Sequence, residues 1–295
     1  MSNLKGLYTQ SSVFSKLLIL IGLLFVFAVS GSIIWLLITH GNMNDTGSLK
    51  LLQLIQSIAV FILPSIVLAY LCSNNMKVFL SLDKPINWVA VLFVILFMIL
   101  IVPFINLLGD LNQRLVLPDA LSGLEKMMKS SENDRAALAT KFLNVHNLPA
   151  LFFNIFLIAI IPAIGEELFF RGAIQGVLRQ KLNVKLAIWI TAVVFSAIHM
   201  QFYGFVPRML LGAFFGYLLV WSGNLWLSIV AHFSNNVLAV IFYYLKNNGY
   251  KVPDIDTIGT GNTLWIGLVS GVIAILGFWF FSRYFHKCDK RTLNL

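Results

Sequence analysis

The sequence predicts an all-α, polytopic membrane protein with about eight transmembrane helices, forming a single membrane domain over residues 1–295. Composition is the first reason: 59% of the residues are hydrophobic and only 11% are charged, against about 25% charged in an ordinary soluble domain. The mean hydropathy of +0.85 agrees. So few polar residues could not cover a water-exposed surface. Soluble globular, disordered and collagen-like classes are therefore excluded.

Charge-free runs mark the individual spans. A span needs about 20 mostly apolar residues, so six of the seven runs each predict one helix. The run 209–245 is interrupted by the turn signal Ser222-Gly223-Asn224 and predicts two. The first run is too long for a signal-peptide core and no small-residue cleavage site follows it, so it predicts a retained helix. The runs are 17–44, 51–76, 85–109, 142–165, 186–207, 209–245 and 257–282.

The basic excess predicts an orientation. Lys and Arg number 21 against 12 acids, as expected where cations flank spans and contact anionic headgroups. No basic cluster is interleaved with stacking aromatics, so nucleic acid is not an expected partner. With both termini inside, the inner segments carry twelve Lys and Arg, and the outer ones four once the polar segment 110–141 is left aside. We therefore predict a multi-pass protein of a bacterial cell membrane with cytoplasmic termini.

The segment 110–148 is the only sizeable polar stretch. Ser131 and Asp134 have capping-box spacing, and apolar residues follow at helical intervals. One interpretation is an amphipathic connector lying on the bilayer. The other is a lid that controls lateral entry of a substrate, and both stay open.

Two acids stand apart from the others. Ten of the twelve lie in connecting or terminal segments, whereas Glu166 and Glu167 continue directly from an apolar run. Ionisable groups at membrane depth cost several kcal/mol unless paired or hydrated, and so indicate function. Glu167 and Arg171 are four residues apart and can pair on one helix face. Glu166 is turned about 100° away and is left free to act as a base.

Two of the five histidines, His199 and His232, lie inside charge-free runs. A helical hairpin turning near Asn183 brings His199 level with Glu166, since each lies about the same number of residues from the turn. His232 and Asn236 are four residues apart and share a face of the next predicted helix but one. One carboxylate, two imidazoles and an amide are therefore predicted to converge between helices.

This set of groups suits hydrolysis. A carboxylate and a histidine can activate water, while histidine and amide donors stabilise the oxyanion of a tetrahedral intermediate. His199, His232 and Glu166 could instead hold Zn²⁺ with one position open. No His-Glu-x-x-His helix and no Gly-x-Ser-x-Gly elbow is present. A zinc ion and a metal-free, glutamate-activated water both remain compatible with the sequence.

Three short motifs follow one another on successive predicted spans: Glu166-Glu167-x-x-x-Arg171, Phe195-x-x-x-His199 and His232-x-x-x-Asn236. In this order they resemble the CPBP family, the CAAX-protease and bacteriocin-processing group of intramembrane proteases that includes the eukaryotic type II CAAX prenyl endopeptidase. The predicted spans also resemble the family's core, which would occupy residues 145–245.

The resemblance implies a role for each motif. One carboxylate and the first histidine would activate the attacking water, and the second histidine and the amide would bind the oxyanion. The glutamate–arginine pair would organise the site. In the metalloprotease interpretation both histidines would ligate a metal. The implied catalytic residues are Glu166, Glu167, Arg171, His199, His232 and Asn236.

The leading functional prediction is an intramembrane endopeptidase that cleaves membrane-associated peptides or protein C-termini. Its partners would be membrane lipids and a peptide or protein substrate. The alternative is a non-enzymatic transporter or bacteriocin-immunity protein that uses the same polar cluster as a binding site. Paired repeat halves typical of many transporters are not found in the sequence. Its natural substrate, and whether that substrate is prenylated, are left open.

Overall fold

The computed structural model describes residues 4–115 and 118–292, and these ranges form helices and loops without strands. The predicted all-α class is confirmed. The longer helices are α1 (Val13–Thr39), α2 (Thr46–Cys72), α3 (Trp88–Leu100), α4 (Val102–Gln113), α5 (Ser122–Leu143), α6 (Leu148–Leu178), α7 (Val184–Ala197), α8 (Phe205–Ser222), α9 (Leu225–Asn247) and α10 (Leu264–Thr292).

Short polar side chains at the helix starts fix where many helices begin. Each accepts a hydrogen bond from a backbone N–H of the first turn, which would otherwise lack a partner. Because these caps sit at the polar ends of the spans, the loops are short and the helix boundaries are sharp. The capping residues are Ser12, Asp45, Asn75, Asn87, Asn147, Asn183 and Asn224.

Within the described ranges, six helices are long and apolar enough to cross a membrane: α1, α2, α6, α8, α9 and α10. A seventh span forms if α3 and α4, which meet at a 43° bend, are counted together. Pro103 in the first turn of α4 is consistent with this break, since proline cannot donate a backbone hydrogen bond. The eighth predicted span is only the 14-residue helix α7, so the predicted count of eight is approximate.

The polar segment between α4 and α6 folds into one helix, α5. This helix begins at Ser122, well before the predicted capping box, so Ser131 and Asp134 lie in its interior and do not cap it. Most of α5 is exposed, but Phe142 and Leu143 at its end are buried. They anchor the connector beside the entry to α6.

Helix α6 is the centre of the fold. Its first half contacts α9 and its second half contacts α2, α7 and α8. Two stretches of α6, Ile155–Ile160 and Leu168–Gln175, are wound as π-helix, and Glu166 and Glu167 lie in the α-helical turns between them. Such π-helical segments are rare and often mark functional sites.

Candidate functional site

Glu167 and Arg171 form an ion pair inside the protein. Arg171 Nη1 donates to Glu167 Oε1 at 2.7 Å, and both side chains are 0% exposed. The predicted pairing of these two residues is thus present, over the spacing the sequence indicated. A buried charge must be paired and hydrogen-bonded, so this pair allows α6 to keep polar residues in an apolar interior.

Two glycines of α8 accept hydrogen bonds from polar side chains of α6. Arg171 Nη2 donates to the carbonyl of Gly212 at 2.9 Å, and Gln175 Nε2 donates to that of Gly216 at 3.1 Å. A Cβ atom at Gly212 would lie 2.9 Å from Phe195 and 3.1 Å from Arg171 Nη2. Small residues at this four-residue spacing let helix backbones approach closely, and here they let α6 side chains bond to the α8 backbone.

His232 projects from α9 onto the same ion pair. Its Nδ1 lies 2.9 Å from Glu167 Oε1, and its ring stacks on Phe215 with a 5.4 Å centroid separation. Because a carboxylate only accepts, Nδ1 carries the hydrogen and donates it. Glu167 therefore orients both Arg171 and His232.

His199 lies just beyond the C-terminal end of α7, which stops at Ala197. The sequence placed it inside a helix that continued to residue 207, and this part of the prediction is wrong. The chain turns instead through Met200, at a positive φ of 52°, and the loop is held because Asn112 Nδ2 donates to the Phe202 carbonyl at 2.7 Å. His199 Nδ1 donates to the Phe195 carbonyl at 2.8 Å.

The three reactive groups converge on one point. Glu166 Oε2 lies 4.0 Å from His199 Nε2 and 3.9 Å from His232 Nε2. These distances are too long for hydrogen bonds. Since both Nδ1 atoms are donors, neutral rings present Nε2 as acceptors, so three acceptor atoms face one another. A water in the space they enclose could donate to two of the three acceptors, one through each of its O–H groups.

The convergent atoms line a cavity of about 460 Å³. Its wall combines apolar side chains with several polar and charged ones, so it can hold a ligand that has both apolar and hydrogen-bonding groups. Asn236, four residues after His232, also faces this cavity, and its Nδ2 donates to the Ile158 carbonyl at 3.3 Å. All six sequence-predicted site residues thus lie in or directly behind one cavity.

The sequence also raised a zinc site at Glu166, His199 and His232. In both histidines the second ring nitrogen is hydrogen-bonded, as in metal ligands. Three ligands around tetrahedral zinc would, however, be about 3.4 Å apart, closer than the distances observed. In the described ranges, no group of three or more His, Cys, Asp and Glu has an arrangement that could hold a metal ion. The residues as placed do not form a metal centre.

Sequence reasoning missed Arg208. It is the single charge between the apolar runs 186–207 and 209–245. The structure places it in the first turn of α8, lining the cavity together with Glu166 and both histidines. A lone cation separating two apolar runs was the available signal.

Fold and site together define a multi-pass membrane protein with a carboxylate and two imidazoles facing a cavity between its helices. Residues 148–238 match the family model described as Type II CAAX prenyl endopeptidase Rce1-like. The match covers the part of the chain that carries all three motifs, agrees with the predicted resemblance to the CAAX and CPBP proteases, and supports an intramembrane peptide hydrolase in general terms. No curated protein matches the chain. No solved structure matches it either.

Proposed function

We propose that this protein is an intramembrane endopeptidase that hydrolyses peptide bonds of membrane-associated peptides or protein C-termini. Glu166 and His199 would activate the attacking water, and His232 and Asn236 would stabilise the oxyanion. The observation that carries the proposal is the position of Glu166 Oε2. This atom is buried without a hydrogen-bond partner among the described residues and lies within 4.0 Å of Nε2 of both histidines.

This geometry supports general-base chemistry. A base must reach the proton it removes, directly or through one water. A water between Glu166 Oε2 and His199 Nε2 would have a strong acceptor for each of its two protons. As the water oxygen forms a bond to the carbonyl carbon of the peptide, Glu166 would take one proton from the water. When the C–N bond of the tetrahedral intermediate breaks, that proton would pass to the leaving nitrogen.

Side chains of α9 would donate hydrogen bonds to the oxyanion. Asn236 Nδ2 faces the cavity, and its 3.3 Å contact to the Ile158 carbonyl is long enough to be exchanged for a stronger acceptor. His232 already donates from Nδ1 to Glu167. It could donate from Nε2 only while both ring nitrogens carry hydrogen. We therefore assign Asn236 the donor role throughout the reaction and His232 that role when it is protonated.

The test is cleavage by purified protein in lipid vesicles. Peptides from membranes containing the wild-type protein would be compared with peptides from membranes containing Glu166→Gln, and a fluorogenic peptide would be built on a site found in this way. Glu166→Gln and His199→Ala should each lower kcat by at least about a hundredfold, as is typical when general-base catalysis is lost. Thermal stability should stay within a few degrees of wild type, because Glu166 has no hydrogen bond through Oε2 to lose.

Matched controls lie outside the cavity. Asp134→Asn on α5 removes an exposed carboxylate, and His146→Ala removes an exposed imidazole. Both variants should retain wild-type turnover. Cleavage that persists in both Glu166→Gln and His199→Ala would refute the proposal. Solute flux or partner protection that persists in Glu166→Gln would favour a non-enzymatic function instead.

A further inference from the structure

Among the residues that the structure describes, Arg208 is the one guanidinium group that lines the candidate catalytic cavity. Its Nη1 atom is buried and has no hydrogen-bond partner within the described residues. Its Nη2 atom donates to Gln201 Oε1 at 2.7 Å. A buried N–H group without a partner is unfavourable, so a cation in this state indicates a site for an acceptor that enters from the cavity.

The surrounding loop holds the guanidinium in place. Gln201 fixes one side, and Gly204 lies so close that a Cβ atom there would be 3.0 Å from Nη2 and 3.4 Å from the guanidinium carbon. Both residues belong to the loop that also carries His199. The orientation of Arg208 is therefore set by the same segment that sets the position of a catalytic candidate.

Nearby charges do not neutralise Arg208 through a direct ion pair. Glu132 and Glu166 attract it and Arg135 repels it, but none of them forms a salt bridge with it. Glu132 instead accepts a hydrogen bond from the backbone N–H of Tyr203. A planar guanidinium with one free edge is suited to a carboxylate, which it can bind through two parallel hydrogen bonds.

We propose that Arg208 is a specificity-determining residue that binds a carboxylate of the peptide substrate, and so selects peptides with a negative charge near the scissile bond. This inference rests on the proposed peptidase function. The carboxylate could be the C-terminal one or that of an acidic side chain. The chemistry is the same, and the substrates below separate the two sources.

The experiment uses one fluorogenic peptide in three forms, with the full-length protein in vesicles. The forms carry a free C-terminal carboxylate, a C-terminal amide, or a C-terminal amide with an acidic side chain in the last residue. In wild type, kcat/KM should be about tenfold to a hundredfold higher for a carboxylate form than for the neutral amide, the range expected for charge-assisted hydrogen bonds. Preference for the first form assigns the C-terminal carboxylate, and preference for the third assigns a side chain.

Arg208→Gln should reduce this ratio toward one, mainly through KM. Arg208→Lys keeps the charge but loses the planar pair of donors, so it should give an intermediate ratio. Arg114→Gln is the matched control, because Arg114 lies outside the cavity with a 70% exposed side chain, and it should keep the wild-type ratio. A ratio that is unchanged in Arg208→Gln, or near one in wild type, overturns the inference.

Binding separates this inference from the proposed function. Fluorescence anisotropy of the labelled acid and amide peptides with the Glu166→Gln variant requires no cleavage. Tighter binding of a carboxylate form, lost when Arg208→Gln is added, supports the Arg208 site even if no peptide is hydrolysed. Equal binding of all three forms to Glu166→Gln overturns it, even if the wild-type protein proves to be a peptidase.

Discussion

The ion pair between Glu167 and Arg171 should behave as a strongly coupled unit. Removing one member leaves a buried charge without its partner, which costs about 3–5 kcal/mol. Arg171 retains its bond to the Gly212 carbonyl and lies over the rings of Phe195 and Phe215, at 4.4 and 5.3 Å from their centroids. Because Arg171 keeps these contacts, Glu167→Gln should lower the free energy of unfolding by about 3 kcal/mol, near the lower end of that range.

A double-mutant cycle measures the coupling. Glu167→Gln, Arg171→Met and the double variant would be unfolded reversibly in mixed micelles, and their free energies of unfolding compared with that of wild type. The double variant should be less destabilised than the sum of the single ones, by about 2 kcal/mol or more, because it leaves no unpaired charge.

The chain supplies a control pair with the same spacing. Arg114 and Asp110 also lie four residues apart with a 2.7 Å contact, but their side chains are 70% and 33% exposed. The cycle of Asp110→Asn and Arg114→Met should give a coupling of only about 0.3–0.5 kcal/mol. If the Glu167–Arg171 cycle is additive to within about 0.5 kcal/mol, the reasoning from burial is refuted.

Two further predictions concern packing and metal dependence. Gly216→Ala should lower stability by about 1–3 kcal/mol, because its Cβ would lie 2.6 Å from Gln175 Oε1. Gly22→Ala should leave stability unchanged, because no neighbouring atom lies within 4 Å of the added Cβ. Equal melting temperatures for the two variants would contradict this reasoning. Since the site does not form a metal centre as placed, elemental analysis should find no stoichiometric zinc, and cleavage should survive a chelator. One tightly bound zinc per chain would disprove that.

Much of the site could be predicted because the sequence contains so few charged residues. In a chain with so few acids, Glu166 and Glu167 were the only ones continuing from an apolar run, and the pairing of Glu167 with Arg171 followed from helical spacing. Convergence with His199 followed from hairpin length, and Asn183 is indeed the N-cap of α7. The catalytic roles of these residues stay predictions.

Other features could not be predicted, because the length of an apolar run does not show where the helix inside it ends. The run 186–207 contains the end of α7 and the loop with His199, since a loop held by contacts with α4 and α5 can be as apolar as a span. A single charge between two apolar runs likewise does not show whether it lies at a membrane edge or, as Arg208 does, in the wall of a cavity. The contacts of Gly212 and Gly216 needed the structure, because spacing alone does not identify the partner helix.

The two π-helical stretches of α6 decide where the site tolerates a change in chain length. A π-helical turn holds about one additional residue compared with an α-helical turn, so deleting one residue from Ile155–Ile160 would return that turn to regular α-helix. The segments before and after it would keep nearly the same relative orientation, and Glu166 would still face both imidazoles. Deleting Ala163 from the α-helical turn that follows would instead rotate the two sides by about 100° relative to each other. If Asn147 at the start of α6 stayed fixed, Glu166 would then turn away from both imidazoles.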